Sequence, residues 1–257
     1  MEKRVKILIG AGVLLLISAA VILAVRLWGL LPFWGERVET PPEEEPLIKI
    51  EAAAIRQRTF KYTIDVKYPR FSGAPETEGA NSKLQVKIEP IVEQFKKNAN
   101  EVEGGVPFEF GSELIIDYEI ILLNPKLASI EFIASDYITG AAHPNNYYLT
   151  FNYDFEAEKE LEFSDLFNED SNYLKRISDY AITDLRARDI NSDWLEDGAG
   201  PKIENYQKFT LSQDGLIIYF DPYQVAAYAY GGQEVEILYA DISDILQAEI
   251  IESARLD

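Results

Sequence analysis

The arrangement of apolar and polar positions divides the chain into one apolar run near its start and a long region of alternating patterns. The run begins at Ile7 and ends at Val25, 19 consecutive residues without a charge. As a helix it would be about 28 Å long, close to the thickness of the hydrocarbon core of a bilayer. Lys3, Arg4 and Lys6 precede it, which predicts a single membrane span with a cytoplasmic N-terminus and an extracytoplasmic C-terminal part.

A cleavable signal peptide is the main alternative to this anchor, because it also combines a basic start with an apolar middle. Ser18, Ala19 and Ala20 offer small residues for cleavage, but the apolar run continues beyond them. The apolar region of a signal peptide is normally shorter, so we favour the uncleaved anchor. We therefore predict a cytoplasmic stub and transmembrane anchor at residues 1–35, followed by an acidic, proline-rich stalk at 36–54.

The first pattern after the stalk is a strict alternation of apolar and polar side chains at residues 60–68, which predicts a half-buried strand. A turn-rich loop is expected at 69–79. A helical pattern then begins at Asn81, a plausible N-cap, and continues to Phe95. Pro90 lies within this pattern, so we expect the helix to be kinked or split there.

The remaining patterns predict further strands and helices. Strands are expected at residues 114–123, 128–138, 147–155, 206–211, 216–220 and 234–239, and helices at 164–185 and 241–246. Asp214 and Gly215 form a strong hairpin signal between two of these strands. Since hairpins and helices are mixed without regular alternation, the sequence predicts an α+β fold with a mainly antiparallel sheet and packed helices. We expect a first α+β domain at 55–155 and a second at 156–250 packed on it.

One shared core is expected for this region. Its members should be Ile116, Ile120, Phe132, Phe151, Leu174, Leu211, Ile218 and Ile237. The strand at 114–123 is apolar on nearly both faces, so it should be central in a sheet that is covered on both sides. Ile120→Asp should then be severely destabilising, because it would bury an unpaired charge.

Composition and charge restrict the classes of function. The absence of cysteine excludes disulfides and lipid attachment through a thiol. The net charge is −20, and residues 1–35 hold one acid and four bases, so the rest of the chain carries 43 acids, 20 bases and a charge of −23. Nucleic acid is a poor partner for such a chain, because binding phosphates needs clustered Lys and Arg. Attraction to a basic partner and simple solubility both remain open as explanations of the acidity.

His143 is the only histidine, and it lies in a loop of Gly, Pro and Asn residues between two predicted strands. A functional interpretation makes it a general base or a metal ligand. A structural interpretation assigns the loop to backbone geometry. Neither motif spacing nor a second histidine supports a metal site or a catalytic triad, so we predict no catalytic residue, no metal site and no cofactor.

A tyrosine-rich loop follows the strand at 216–220. Tyr223, Tyr228 and Tyr230 lie on it, before Gly231 and Gly232. Exposed tyrosines offer rigid apolar area with a hydroxyl at the tip, which suits recognition. The alternative is that Tyr223 and Tyr228 pack into the core and hydrogen-bond the backbone. The candidate ligand-binding residues are Tyr223, Tyr228, Tyr230, His143 and Asn145.

Three blocks carry a resemblance to a known family: residues 139–145, the segment Glu160-Leu161-Glu162-Phe163-Ser164-Asp165-Leu166-Phe167, and residues 209–231 around Asp214-Gly215. Their order and spacing resemble the paired extracytoplasmic domains of unknown function in lysozyme-sensing anti-sigma factors such as RsiV and in the N-terminal part of peptidoglycan deacetylases such as PdaC. The resemblance covers about residues 55–245 and implies a bacterial α+β domain outside the cytoplasmic membrane. Only six residues precede the predicted span and no histidine-rich domain is present, so we expect neither sigma-factor binding nor deacetylation.

Together these features predict a single-pass membrane protein of the bacterial cell envelope with a non-catalytic extracytoplasmic ligand-binding domain. The expected partners are membrane lipid around residues 7–25 and, outside the membrane, a basic secreted protein similar to lysozyme or a wall component such as peptidoglycan. The alternative is a hydrolase of envelope polymers that uses carboxylates and His143.

Overall fold

The computed structural model describes residues 48–102, 111–190 and 192–256. The predicted anchor and most of the predicted stalk lie outside these ranges. Among the helices that are described, none is both long and apolar enough to cross a bilayer. The span at residues 7–25 therefore remains a prediction from the sequence.

A six-stranded sheet forms the first half of the described region, and its strands lie side by side in chain order. They are β1 (Lys49–Arg58), β2 (Tyr62–Ser72), β3 (Ser112–Leu123), β4 (Leu127–Tyr137), β5 (Asn145–Asp154) and β6 (Lys159–Glu160). β2 and β3 are parallel, and every other neighbouring pair is antiparallel. The expected hairpin between β3 and β4 is confirmed; in its turn, Asn124 Oδ1 accepts hydrogen bonds from the N–H groups of Lys126 and Leu127.

Helix α1 (Thr77–Glu101) connects β2 to β3 and packs on one face of this sheet. The predicted helix is confirmed, but it begins four residues earlier, so Asn81 is not its N-cap. The Asn81 side chain instead accepts from the N–H of Phe71 and donates to its C=O, at 2.8 Å each. Pro90 lies inside the helix without splitting it, because the turns on both sides bury Ile88 and Val92 against the same sheet.

The second half contains a three-stranded antiparallel sheet of β7 (Phe209–Leu211), β8 (Gly215–Phe220) and β9 (Gln233–Leu238). Its helices are α2 (Tyr173–Ala187), α3 (Leu195–Gly198), α4 (Tyr239–Ile242) and α5 (Ala248–Ala254), with 3₁₀ turns at Phe163–Leu166, Ile203–Tyr206 and Tyr228–Tyr230. The hairpin at Asp214 and Gly215 is confirmed, whereas α5 was not predicted. The α+β class with a mainly antiparallel sheet is confirmed.

The expectation of one core is wrong, because the buried apolar side chains form two clusters. The first lies between α1 and the six-stranded sheet and includes Ile116, Phe132 and Phe151. The second lies in the second half and includes Leu211, Ile218 and Ile237, with Leu174 partly buried against it. Each half therefore has its own apolar interior, and Leu122 and Leu127 of the β3–β4 hairpin pack into that of the second half.

Ile120 belongs to neither cluster, since its side chain is 39% exposed. β3 is central, as predicted, but it is not covered on both sides: Ile115 is 43% exposed. The reason is that α1 covers one face only, while the second half reaches the other face mainly through β7 beside β4 and β5. The pairing of β3 with β4 is also irregular between Ile120 and Leu122, so the alternation along the strand does not continue unchanged.

The joint between the two halves combines apolar contacts with buried polar side chains: Leu122 and Leu127 of the β3–β4 hairpin belong to the second apolar cluster, and hydrogen bonds connect β7 to the sheet. β7 has one strand partner, β8, and its other edge faces the six-stranded sheet. The N–H of Leu211 donates to Ser129 Oγ at 2.7 Å, and Asn152 Nδ2 donates to the C=O of Phe209 at 2.7 Å. Ser129 and Asn152 are buried. These bonds provide partners for backbone groups at the edge of β7, which would otherwise be buried and unpaired.

Two boundaries near the start of the described region differ from the prediction. Residues 49–54, assigned to the stalk, pair with β2 as part of β1. β2 itself continues through Pro69 to Ser72, so the loop expected at 69–79 is reduced to a short turn before Thr77. The alanines of β1 have weak strand propensity, and pairing with β2 decides their conformation.

Candidate functional site

Two loops, one from each half, bring three of the candidate residues together. The loop between β4 and β5 carries His143, and the loop between β8 and β9 carries Tyr223 and Tyr228. The ring centroids of His143 and Tyr228 are 4.2 Å apart, and those of Tyr223 and Tyr228 are 5.3 Å apart. Trp194 adds a fourth ring, 6.2 Å from that of Tyr223. We call His143, Trp194, Tyr223 and Tyr228 the aromatic patch.

Backbone geometry in the loop before β5 positions His143. Gly140 has φ of 97°, a conformation that side chains disfavour, and it allows the chain to turn directly after β4. Ser112 Oγ on β3 accepts the N–H of Thr139 at 3.1 Å, which ties the start of the loop to the sheet. His143 Nδ1 donates to the C=O of Pro144 at 2.8 Å, so its ring is held beside that of Tyr228.

Asp221 and Gln224 fix the start of the second loop. Asp221 accepts the N–H of Tyr148 at 2.9 Å and forms an ion pair with Lys208. Gln224 accepts the N–H of Asp221 at 3.1 Å and donates to the C=O of Gly198 at 3.0 Å. A Cβ atom at Gly198 would lie 1.8 Å from the carbonyl oxygen of Gln224. Only glycine therefore permits this close approach of α3 to the loop.

Tyr223 is held in a strained conformation that keeps its ring in solvent. Its φ is 72°, in the left-handed region, and its side chain is 53% exposed. Such strain costs about 1 kcal/mol or more and persists only where surrounding contacts impose it. The alternative that Tyr223 packs into the core is wrong; the fully buried tyrosines of this half include Tyr206 and Tyr219.

The Tyr228 hydroxyl joins the two loops. It accepts a hydrogen bond from Asn146 Nδ2 and donates one to the C=O of Pro144, both at 2.9 Å. Its ring is half-buried between His143 and Tyr223. Tyr228 therefore holds the neighbouring rings of the patch in place. Tyr223 and Trp194 present open ring area, and Trp194 is 46% exposed.

Two of the predicted residues lie apart from these contacts, and two participants were not predicted. Tyr230 is 57% exposed on the same loop but makes no ring contact with the patch among the described residues. Asn145 donates to Asp136 Oδ1 at 3.0 Å, away from Tyr228, and the neighbouring Asn146 holds the hydroxyl instead. Trp194 was missed; a tryptophan within the polar segment 192–197 was the available signal.

The chemistry available at the patch is that of a surface for contact. No carboxylate among the described residues lies within hydrogen-bond or ion-pair distance of His143, and no group of three or more His, Asp or Glu in the same part of the chain could hold a metal ion. The patch offers exposed ring faces, which bury large areas of a ligand with little loss of side-chain freedom.

Comparisons with known proteins divide the chain into two matched segments. Residues 55–146 match the family model described as "Deacetylase PdaC", and residues 164–240 match "Protein of unknown function (DUF3298)". Over 201 residues the chain is 35% identical to the peptidoglycan-N-acetylmuramic acid deacetylase PdaC of Bacillus subtilis. The alignment covers 77% of this chain and 41% of that protein, so the chain spans less than half the length of this relative. The chain resembles the N-terminal region of PdaC together with DUF3298 domains.

Two solved structures share the fold. A DUF3298-family protein from Bacteroides fragilis has 19% identity and a TM-score of 0.54, covering 82% of this chain and 99% of its own. A DUF3298-family protein from Pseudomonas aeruginosa has 16% identity and a TM-score of 0.58, covering 80% and 97%. At these identities the likeness establishes the fold alone.

Proposed function

We propose that the chain is a membrane-anchored protein of the bacterial cell envelope whose extracytoplasmic part binds the glycan of peptidoglycan without converting it. The observation that carries the proposal is the aromatic patch. Two of its rings, Trp194 and Tyr223, are exposed even though burial of such rings is favourable. The backbone of Tyr223 is strained, and its ring nevertheless lies outside the core.

A glycan suits the patch because sugar rings present faces of C–H groups between hydroxyls at their edges. Neighbouring rings in the patch are 4.2, 5.3 and 6.2 Å apart from His143 through Tyr228 and Tyr223 to Trp194. The centroids of His143 and Tyr223 are 6.4 Å apart, so these two rings and that of Tyr228 form a compact triangle, with Trp194 beside Tyr223. The exposed rings of Tyr223 and Trp194 offer apolar contact to neighbouring units of a polymer. Polar tips beside apolar faces are the usual composition of small-ligand sites.

The relative in Bacillus subtilis supports a wall polymer as the ligand. Its name states that it acts on N-acetylmuramic acid in peptidoglycan, and the shared part is its N-terminal region. Because that part covers 41% of the relative, we carry over the location at the wall and not the deacetylation. An anchor at residues 7–25 would hold the binding part beside this polymer.

Co-sedimentation of the full-length protein, in detergent micelles, with purified peptidoglycan tests the proposal. We expect the protein to bind, and Trp194→Ala combined with Tyr223→Ala to weaken binding at least tenfold, since aromatic anchors dominate such contacts. Phe60→Ala is the matched control, because Phe60 is 75% exposed and remote in the chain from both loops. Equal loss in the control, or no binding by the wild type, would reject the proposal.

A basic secreted protein similar to lysozyme is a second candidate, and the charge of −23 on residues 36–257 is the observation that favours it. Attraction between unlike charges should speed the encounter, and added salt should slow it. Titration with lysozyme at low and physiological salt separates the two candidates. Absence of binding at low salt would remove lysozyme, and salt-sensitive binding that ignores Tyr228→Ala would remove the patch from that interface.

A further inference from the structure

A cleft of about 340 Å³ lies under the C-terminal half of α1, at the end of the sheet where β4 ends and β5 begins. Its lining residues are Pro90, Ile91, Gln94, Phe95, Asn98, Leu114, Asp136 and Tyr147. The volume is in the range of sites for small ligands. The cleft is separate from the aromatic patch, and none of its lining residues belongs to that patch.

One side of the cleft is apolar. Phe95 and Leu114 are buried members of the first core, and Ile91 packs partly against it. Phe95 is also fixed by an edge-to-face contact with Tyr62, with ring centroids 5.9 Å apart. This wall is therefore rigid and can cover a short aliphatic chain.

A carboxylate without a cation lies on the other side. Asp136 Oδ1 accepts one hydrogen bond from Asn145 at 3.0 Å. Among residues 48–102, 111–190 and 192–256, no Lys, Arg or His forms an ion pair with Asp136. Lys208 is near, 6.0 Å from the Tyr147 ring centroid, but it is bound to Asp221.

Tyr147 adds a neutral hydroxyl beside this carboxylate. Burial, together with the charges of Asp136 and Asp221, raises the pKa of Tyr147 to about 12. The hydroxyl therefore stays protonated at neutral pH. Its oxygen can accept a hydrogen bond from a donor group of a ligand that is bound to the Asp136 carboxylate. Gln94 Nε2 donates to Asn98 Oδ1 at 2.7 Å. The remaining amide groups of Gln94 and Asn98 lie at the rim of the cleft.

We propose that this cleft binds an aliphatic primary ammonium group, with the ammonium on Asp136 and Tyr147 and the adjoining methylenes on Ile91, Phe95 and Leu114. A half-buried carboxylate next to an apolar wall is complementary to a cation on an apolar stem. The same chemistry occurs in a lysine side chain of a protein and in the ω-amino group of a diamino acid in a wall peptide. The proposal does not depend on glycan binding by the aromatic patch.

Saturation-transfer NMR on the full-length protein in micelles tests this site with two matched probes. Nα-acetyl-lysine methylamide carries the ammonium, and Nα-acetyl-norleucine methylamide has the aliphatic stem without it. We expect the lysine probe to bind at least tenfold more tightly. Equal affinity of the two probes would overturn the proposal.

Asp136→Asn should weaken the lysine probe at least tenfold, because it removes the charge and retains an oxygen for Asn145. Asp117→Asn is the matched control, because Asp117 is exposed on β3 and paired with Lys67 at 2.5 Å. This substitution should change the affinity for the lysine probe less than twofold. If Asp136→Asn impairs folding, Ile91→Trp serves instead, since it fills the cleft and leaves the carboxylate. Retained affinity in a folded Asp136→Asn or Ile91→Trp variant, or equal loss in Asp117→Asn, contradicts the site.

Competition identifies the source of the ammonium. A soluble wall peptide with a free ω-amino group, its N-acetylated form and a lysine-rich protein are each added to the bound lysine probe. Displacement by the free wall peptide and not by the acetylated form assigns the site to the wall, and displacement by the protein alone assigns it to a protein partner. Displacement by none of them overturns the assignment. Trp194→Ala with Tyr223→Ala should leave the probe affinity unchanged, so failure here is distinguishable from failure of glycan binding.

Discussion

The two halves of the described region bury apolar surface in different ways. In the first half, one long helix, α1, covers one face of a six-stranded sheet, and Ile115 and Ile133 on β3 and β4 stay 43% and 58% exposed. In the second half, the 15-residue helix α2, three shorter helices and 3₁₀ turns surround three short strands, and the fully buried tyrosines include Tyr206 and Tyr239. One long helix with an apolar face can cover one face of a sheet alone. Where the elements are short, several of them must contribute side chains to the same core.

The joint between the halves differs from both interiors, because buried polar side chains lie there beside the apolar contacts of Leu122 and Leu127 with the second cluster. Ser129, Glu131, Thr150 and Asn152 are buried there. Apolar contacts alone would hold two surfaces together without fixing their register, whereas directed hydrogen bonds to β7 fix it. The relative position of the two loops that form the aromatic patch depends on this register.

The largest effect should come from placing a charge in the first core. Ile116 is fully buried on β3, so Ile116→Asp should cost more than about 4 kcal/mol in the free energy of unfolding, because the carboxylate loses its hydration without a partner. Ile133→Asp, on the exposed face of β4, should cost less than about 1 kcal/mol. Chemical denaturation of both variants measures the difference. Similar losses would show that both faces of the sheet are covered.

Ile120→Asp belongs between these two variants. The sequence predicted severe destabilisation because it placed Ile120 in the core, and this placement is wrong, since the residue is 39% exposed. The new carboxylate would keep contact with water, so we expect a cost of about 1 kcal/mol. The same denaturation experiment ranks it between Ile116→Asp and Ile133→Asp.

Glu131 should make the stability of the joint depend on pH. Burial, together with the charges of Glu234 and Glu119, raises its pKa from 4.5 to about 7, against a hydrogen bond from Tyr219 that lowers it. Oε1 of this carboxyl is buried without a partner among the described residues. The folded state thus binds more protons than the unfolded state between pH 4.5 and about 7. Stability therefore falls as pH rises through this interval, by up to about 3 kcal/mol, and is level above it.

Glu131→Gln tests this dependence, because glutamine stays neutral at every pH. The free energy of unfolding of the wild type minus that of the variant should decrease from pH 4.5 to 7.5. Glu113→Gln, at an exposed position of β3, is the control for other titrating groups and should leave the wild-type slope unchanged. A difference that does not vary with pH would mean that Glu131 is ionised in the folded state.

Asn152 should be the next most important residue of the joint. Its side chain accepts from Ser129 Oγ at 2.5 Å and donates to the C=O of Phe209 at 2.7 Å. Asn152→Ala leaves the C=O of Phe209 without this partner and the hydroxyl proton of Ser129 without an acceptor, although Ser129 Oγ still accepts the N–H of Leu211, and it should cost about 2 kcal/mol. Hydrogen exchange at the amides of Phe209 and Leu211 should accelerate more than exchange at Ile116. Asn145→Ala, exposed on the same strand, should change neither quantity; uniform acceleration in Asn152→Ala would show that the joint does not open separately.

Much of the fold follows from local patterns in the sequence. The alternation around Tyr62, Ile64 and Val66 and the hairpin at Gly215 predict elements that the structure confirms, because half-buried strands and tight turns leave local signals. β1 leaves no such signal, since its central residues are alanines and its conformation depends on pairing with β2. The second core could not be separated from the first, because β4 and β5 show buried residues on both faces.

Only part of the candidate site could be predicted, because its assembly depends on contacts between residues that are distant in the chain. Loop composition indicated His143, Tyr223 and Tyr228, but their proximity depends on hydrogen bonds between residues distant in the chain, such as Asn146 with Tyr228. Trp194 reaches the patch because Ser192 Oγ donates to the C=O of Val225 at 2.7 Å. No local pattern predicts that contact. Asn145 and Asn146 alternate in direction along β5, so a shift of one residue decides which of them reaches the patch.

The smallest effect should come from the Tyr228 hydroxyl, where the loops of the two halves meet. Tyr228→Phe removes the bonds to Asn146 and Pro144 but keeps the ring between His143 and Tyr223. Both partners are exposed and can bond water instead, so the loss of stability should stay below about 1 kcal/mol. Peptidoglycan binding should fall less than threefold, whereas Tyr228→Ala should reduce it at least tenfold by removing the support of the neighbouring rings. Equal losses in the two variants would show that the hydroxyl, and not the ring, holds the patch together across the joint.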